Sequence, residues 1–228
     1  MNYKALFFDL DNTLLDFGKA EYKAIRKALE LHNLPSSDEI AHIYSKINKS
    51  FWERFERGEI KREEIFENRF IKLLEVIGGK TDISKLSKDY FSFLSTGHDT
   101  VDGAEEILEW CVENGYKLYA TTNGISLTQF KRIEESGLNK YFNGVFVSEQ
   151  VGAKKPESAY FEYVYSKIEA VDKKEILVIG DSPSSDILGG INFGVDTCWY
   201  NPECKNSIYT PTFEIKKLNE LKTVLKRA

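Results

Sequence analysis

Short apolar stretches in this chain stop abruptly at small, hydroxylated or charged residues, and residues at helical spacing follow. The first stretch, Ala5–Phe8, reads as a buried strand and runs into Asp9-Leu10-Asp11-Asn12-Thr13. From Val101 the chain alternates. "YKLYATT", "GVFVS", "EILVIGD", "DTCWY" and "TFEI" read as strands. "GAEEILEWCVENG", "ISLTQFKRIEESG", "PESAYFEYVYSKI", "SSDILGGINFG" and "KLNELKTVLKR" read as helices, with Pro156 expected to open the third. Strands alternating with helices argue for a parallel sheet covered on both faces.

Residues 16–95 break the alternation. "FGKAEYKAIRKALELH", "DEIAHIYSKINKSFWERFERG", "KREEIFENRFIKLLEVIGG" and "ISKLSKDYFSFLS" all carry apolar residues at helical spacing, and Gly58 and the Gly78-Gly79 pair mark helix ends. The expected fold is α/β: a Rossmann-like core with a parallel sheet flanked by helices, made from residues 1–15 and 96–228, with an all-helical cap domain of residues 16–95 inserted after the first strand.

Composition narrows the function. The 228 residues suffice for a sizeable core plus an insert. A net charge of −5 and the lack of a basic run argue against nucleic acid and anionic membranes as partners. The start of the chain has too short an apolar run for a signal peptide, and no stretch is apolar enough to span a bilayer. Three cysteines without a CxxC spacing fit a reducing, cytoplasmic setting. His32, His42 and His98 sit apart from partners at metal-ligand spacing. The oligomeric expectation is a monomer or weak homodimer.

In an open parallel sheet, ligands bind beyond the carboxyl ends of the strands. Four polar clusters fall there: Asp9 to Thr13; Thr121-Thr122-Asn123-Gly124; Gly152-Ala153-Lys154-Lys155-Pro156; and Gly180-Asp181-Ser182, with Asp186 just beyond. Asp9, Asp11 and Asp181 offer hard oxygen ligands suited to Mg²⁺. Thr122, Asn123, Gly124 and Lys155 offer hydroxyl, amide and ammonium donors for phosphate oxygens. Two aspartates can then end a buried strand because a divalent cation and a phosphate share their site.

With these four motifs in this order, the chain resembles the haloacid dehalogenase superfamily of phosphotransferases over essentially its whole length. The resemblance implies Asp9 as nucleophile, Asp11 as general acid and base, Thr122 and Lys155 on the phosphoryl group, and Asp181 on magnesium with Asp186 in support. It also implies that the helical insert is a cap. Lys154 stands beside Lys155, but adjacency to Pro156 favours Lys155 for the third motif. "SEQVGAKKPESAYF" and "SDILGGINFGVDTCWYN" are similar to the YjjG-type pyrimidine 5′-nucleotidase branch. The expected activity is therefore magnesium-dependent hydrolysis of a small phosphomonoester, a pyrimidine nucleoside 5′-monophosphate, through an aspartyl-phosphate. Magnesium would be held by Asp9, Asp11 through its backbone carbonyl, Asp181 and Asp186.

In the insert, the Phe51–Phe55 and Phe66–Phe70 pairs are read as core packing. Trp52 and Arg69 lie about 100° of helix rotation away from those stripes. Both are candidates to face the active site, Trp52 stacking on a base and Arg69 bonding a base carbonyl or ribose. Cys198 and Trp199 are read as core. The competing functions are a phosphatase for a sugar phosphate or other phosphometabolite, a phosphoaspartate switch, and a non-catalytic binding protein. A switch has no need of Asp11, and a dead binding protein would lack a motif residue.

Overall fold

The computed structural model describes residues 3–227. Its centre is a parallel six-stranded sheet in the order β3-β2-β1-β4-β5-β6. The strands are β1 (Ala5–Phe8), β2 (Lys117–Thr122), β3 (Gly144–Val147), β4 (Ile176–Gly180), β5 (Asp196–Tyr200) and β6 (Phe213–Ile215). β1 lies between β2 and β4, with Phe8 opposite Ala120 on one side and Ile179 on the other. The chain works outward from β1 through β2 to β3, then returns to place β4 beside β1. That reversal leaves a crevice at the carboxyl ends of β1 and β4.

Burial on both faces explains why β1 is apolar without alternation. Leu6 and Phe8 pack with Ile107, Leu108 and Cys111 of α5 (Ala104–Glu113) and with Leu221 and Leu225 of α10 (Leu221–Arg227). Ala5 and Phe7 pack with Tyr160, Phe161 and Val164 of α8 (Ser158–Lys167) and with Phe193 of α9 (Leu188–Phe193). The remaining helices of this part are α6 (Ser126–Glu135) and the short α7 (Ser148–Val151).

Between β1 and α5 come α1 (Phe17–Leu31), α2 (Asp38–Glu56), α3 (Arg62–Ile77) and α4 (Ile83–Leu94). The side chains of Asp16, Ser37 and Asp82 cap the first, second and fourth by accepting backbone N–H bonds. Gly78 ends α3 with φ +73°, a conformation that suits glycine. Ala24, Leu29, Tyr44, Phe70, Leu73, Leu86 and Tyr90 form a separate apolar cluster within these four helices. The two chain crossings to the sheet run side by side: Asp16 N–H donates to Asp99 O at 2.9 Å and Val101 N–H to Leu14 O at 2.9 Å. Among the described residues no helix is long and apolar enough to cross a membrane.

Three local expectations change. Pro156 does not open α8, which begins at Ser158 with Glu157 as N-cap. The backbone of Lys155, just ahead of Pro156, is pinned by the Asn123 side chain, which keeps this segment out of the helix. The expected single helix after β4 is a π turn at Pro183–Ile187 followed by α9. A π turn inserts one residue into the helical ladder and is frequent at functional sites. The last helix starts as a 3₁₀ turn at Leu218–Glu220 before α10.

Candidate active site

Because the strands are parallel, the residues that follow β1, β2 and β4, and the loop beyond β3, reach one edge of the sheet. Asp9, at the end of β1, is buried and its N–H donates to Ile179 O at 2.9 Å. Lys155 is buried at its centre. Its Nζ donates to Asp9 Oδ1 at 2.6 Å, to Asp186 Oδ1 at 2.6 Å and to Thr121 O at 2.8 Å. The Asn123 amide fixes this lysine, accepting from Lys155 N–H and donating to Lys155 O, each at 2.9 Å. The Asn123 side chain, expected to bind substrate, is thus engaged with the Lys155 backbone. Lys154 instead pairs with Glu157 at 2.6 Å and lies 5.0 Å from the Phe55 ring.

Asp9, Asp181 and Asp186 bring one carboxylate oxygen each within 4.8 Å of the others. Asp186 is held in place by Lys155 and by Ser182 N–H, which donates to its Oδ2 at 3.1 Å. Gly180 is needed for this placement, because a Cβ there would sit 2.1 Å from Asp186 Oδ2. Thr13 links the other two acids. Its hydroxyl donates toward Asp9 Oδ2 at 3.2 Å, lies 3.4 Å from Asp181 Oδ1, and accepts Asp181 N–H at 3.0 Å. Trp199, read as core, also donates its Nε1–H to Asp181 O at 2.9 Å.

Burial pushes the Asp9 carboxyl up to about 7; Asp186 and Asp11 push the same way, and Lys155 opposes them. Burial likewise raises Asp181 well above the carboxylate range, with Asp9 and Asp186 adding to it. For Lys155, burial works against the charge, but Asp186 and Asp9 outweigh it and keep the ammonium protonated. Fully ionised, three converging acids would outweigh one lysine; with burial, this is why Asp9 and Asp181 hold their protons so tightly. A divalent cation ligated by oxygens fits that donor set.

The Asp11 carboxylate lies outside this trio. It accepts from Gln129 Nε2 at 3.0 Å and is ion-paired with the fully buried Arg132, both on α6. Gln129 Nε2 also donates to Thr122 Oγ1 at 2.8 Å, and Gly124 N–H donates to the same oxygen at 3.1 Å. Sequence reading missed Gln129, Arg132 and Thr13. Only Thr13 carried a signal, from its place in the first cluster.

A single cavity of about 610 Å³ joins these groups to the four helices. Asp9, Thr122, Lys155 and Asp181 line it, and so do Trp52, Arg69, Asn48 and Glu21. Trp52 is half-buried with an edge contact to Phe55 at 5.8 Å. Arg69 is not on the surface but 1% exposed. Glu56, on α2, accepts a bond from Ser184 Oγ at 2.7 Å and ties the helices to the π turn. Burial pushes the Glu56 carboxyl up to about 7, with Ser184 opposing and Asp186 adding. A raised carboxyl favours the folded state below its unfolded value near 4.5, and that advantage is lost as pH rises through 7. Glu56→Gln should therefore raise the melting temperature by about 2–4 °C at pH 8.5 and leave it unchanged at pH 4.5. A gain of equal size at both pH values would show that burial of the Glu56 charge is not the cause.

The sequence profile of the haloacid dehalogenase-like hydrolases matches residues 6–200. The HAD-hydrolase YfnB of Bacillus subtilis is 41% identical over 98% of this chain and 95% of its own length. Its magnesium-bound crystal structure, described as revealing interdomain movement, superposes with a TM-score of 0.94 at 40% identity, covering 99% of both chains. Pyrimidine 5′-nucleotidase PynA of Streptococcus pneumoniae is 38% identical over 97% of this chain and 94% of its own. Pyrimidine 5′-nucleotidase YjjG of Escherichia coli is 29% identical over 99% of each. With its sheet order, its four strand-end motifs and these matches, the chain belongs to the haloacid dehalogenase-like hydrolases and is an enzyme of that family.

Proposed function

We propose that the chain is a magnesium-dependent phosphomonoesterase that hydrolyses pyrimidine nucleoside 5′-monophosphates through a phosphorylated Asp9. Residues 16–95 act as its cap over a core of residues 1–15 and 96–228. The observation that carries this reading is the shared cavity, in which phosphate-handling groups and an aromatic, hydrogen-bonding wall face one space. Its volume suits a small-molecule ligand. The names of the relatives PynA and YjjG point the same way.

The steps follow from the residues. Asp9 attacks phosphorus and forms an acyl phosphate. The Lys155 ammonium and the Thr122 hydroxyl contact phosphoryl oxygens, where charge must be neutralised. Asp9, Asp181 and the Asp11 backbone carbonyl, with Asp186 in support, would hold magnesium, which would supply further charge neutralisation when bound. Asp11, entering this step as the protonated acid, turns from Gln129 and Arg132 toward the leaving oxygen and gives it that proton as the phosphorus–oxygen bond breaks, becoming a carboxylate. It then takes a proton from the water that hydrolyses the acyl phosphate. A cap that closes over the site excludes bulk water during these steps.

Trp52 provides a flat apolar surface on which a base can stack. Stacking of a base on an aromatic ring contributes roughly 1–3 kcal/mol. Trp52→Ala should lower kcat/KM for uridine monophosphate by about tenfold relative to its effect on p-nitrophenyl phosphate. Wild-type preference for hexose phosphates over every nucleotide would turn the reading toward a sugar phosphatase.

A further inference from the structure

Gln129 lies on α6, is 1% exposed and borders the catalytic cavity, yet it belongs to none of the four strand-end motifs. Its neighbours define how the amide is turned. Arg132 Nη1, which can only donate, bonds Gln129 Oε1 at 3.2 Å. The opposite orientation would set the amide oxygen against the Asp11 carboxylate, two acceptors face to face. Nε2 therefore points at Asp11 Oδ2, 3.0 Å away, and at Thr122 Oγ1, 2.8 Å away, with one proton for each. Gly124 packs directly on this side chain: a Cβ there would lie 2.6 Å from Gln129 Cγ and Cδ.

We propose that Gln129 is a positioning residue that fixes the hydroxyl proton of Thr122 in the direction of the phosphoryl group. The inference rests on the phosphatase reading above and adds to it a residue from outside the four motifs.

The capacity of the hydroxyl carries the argument. A threonine hydroxyl has one proton and two acceptor positions. Gly124 N–H fills one position at 3.1 Å and Gln129 Nε2–H fills the other. With both lone pairs taken, Oγ1 can only donate to a further partner. Among the described residues no protein group accepts its proton. Thr122 is 1% exposed but borders the cavity beside Asp9 and Lys155, so the cavity is where that proton finds an acceptor. A phosphoryl oxygen bound there supplies one. Without Gln129, the hydroxyl has an empty lone pair, turns about its Cβ–Oγ1 bond and must be reoriented when substrate arrives. Donors fixed before charge develops stabilise the transition state without that reorganisation. The amide itself is not the phosphoryl donor in this arrangement, because both its protons are committed. Its bond to Thr122 uses a different proton from its bond to Asp11, so it persists when Asp11 turns toward the leaving oxygen.

The test is a double-mutant cycle read on single-turnover release of p-nitrophenolate from p-nitrophenyl phosphate with Mg²⁺ present. That leaving group departs without a proton, so the measured step is attack at phosphorus and does not report the bond between Gln129 and Asp11. Thr122→Val should slow release by about 10²-fold, the range for removing one fixed donor from a developing oxyanion. Gln129→Met, of similar length but without donors, should slow release by about tenfold when Thr122 is present, the order of one hydrogen bond. In the Thr122→Val background the same change should cost less than about twofold, because residues that act through one another are not additive. Disturbed packing would cost the same in both backgrounds. Should Gln129→Met not fold, Gln129→Asn, an amide one methylene shorter, answers the same question. Equal losses in the two backgrounds, or wild-type release by a folded Gln129 variant, overturns the proposal. Wild-type release by Thr122→Val overturns both the phosphoryl contact of Thr122 and the role of Gln129. A wild-type protein that hydrolyses no phosphomonoester overturns the phosphatase reading instead.

Discussion

Asp9→Asn should fold and bind magnesium weakly, and its kcat should drop by about 10³-fold or more, equivalent to roughly 4 kcal/mol of barrier. The amide is nearly isosteric with the carboxylate. Lys155 keeps Asp186 Oδ1 and Thr121 O as acceptors, so the buried ammonium is not stranded. What disappears is the anionic oxygen that attacks phosphorus. Rapid-quench kinetics with ³²P-labelled substrate would show acid-stable label on wild-type protein and none on the variant. A variant retaining more than about a tenth of wild-type kcat, a loss of only about 1.4 kcal/mol, would exclude Asp9 as nucleophile. Asp11→Asn separates the enzyme from a phosphoaspartate switch: turnover should fall in an enzyme that uses this acid, whereas a switch has no need of it.

Chelation should have the other large effect. EDTA should abolish turnover and Mg²⁺ should restore it, whereas Ca²⁺ should restore little because it favours more ligands at longer distances. Full activity in metal-free buffer would refute the requirement. Stability carries an independent signature. Burial raises Asp9 to about 7, so without metal the carboxyl favours folding below its ordinary value of 3.8 and that contribution is lost as pH rises through 7. Metal binding needs the ionised form and stabilises by mass action. The gain in melting temperature on adding Mg²⁺ should thus be small at pH 5 and large at pH 8. A gain independent of pH would place the ion away from these acids.

The fold could be read from sequence wherever a local pattern carried it. The four helices at 17–94 declare themselves through helical spacing and the glycine ends at Gly58 and Gly78; their side-chain caps at Asp16, Ser37 and Asp82 came only with the structure. The convergence of the polar clusters was legible because a parallel sheet sends every carboxyl end to one edge, so those at Asp9, Thr122, Lys155 and Asp181 had to meet once their strands were recognised. The supporting contacts were not. Arg132 reaches Asp11 across 121 residues from a helix whose spacing reports only its apolar face. Glu56 meets Ser184 across 128 residues, and Glu21, Asn48 and Arg69 come from three different helices. Polar residues at helical spacing look like solvated surface in a sequence. Whether such a residue faces water or a neighbouring element depends on helix rotation and on how the helices sit over the sheet. Periodicity fixes each helix's buried stripe, but only tertiary packing decides which polar side chains are drawn in beside it.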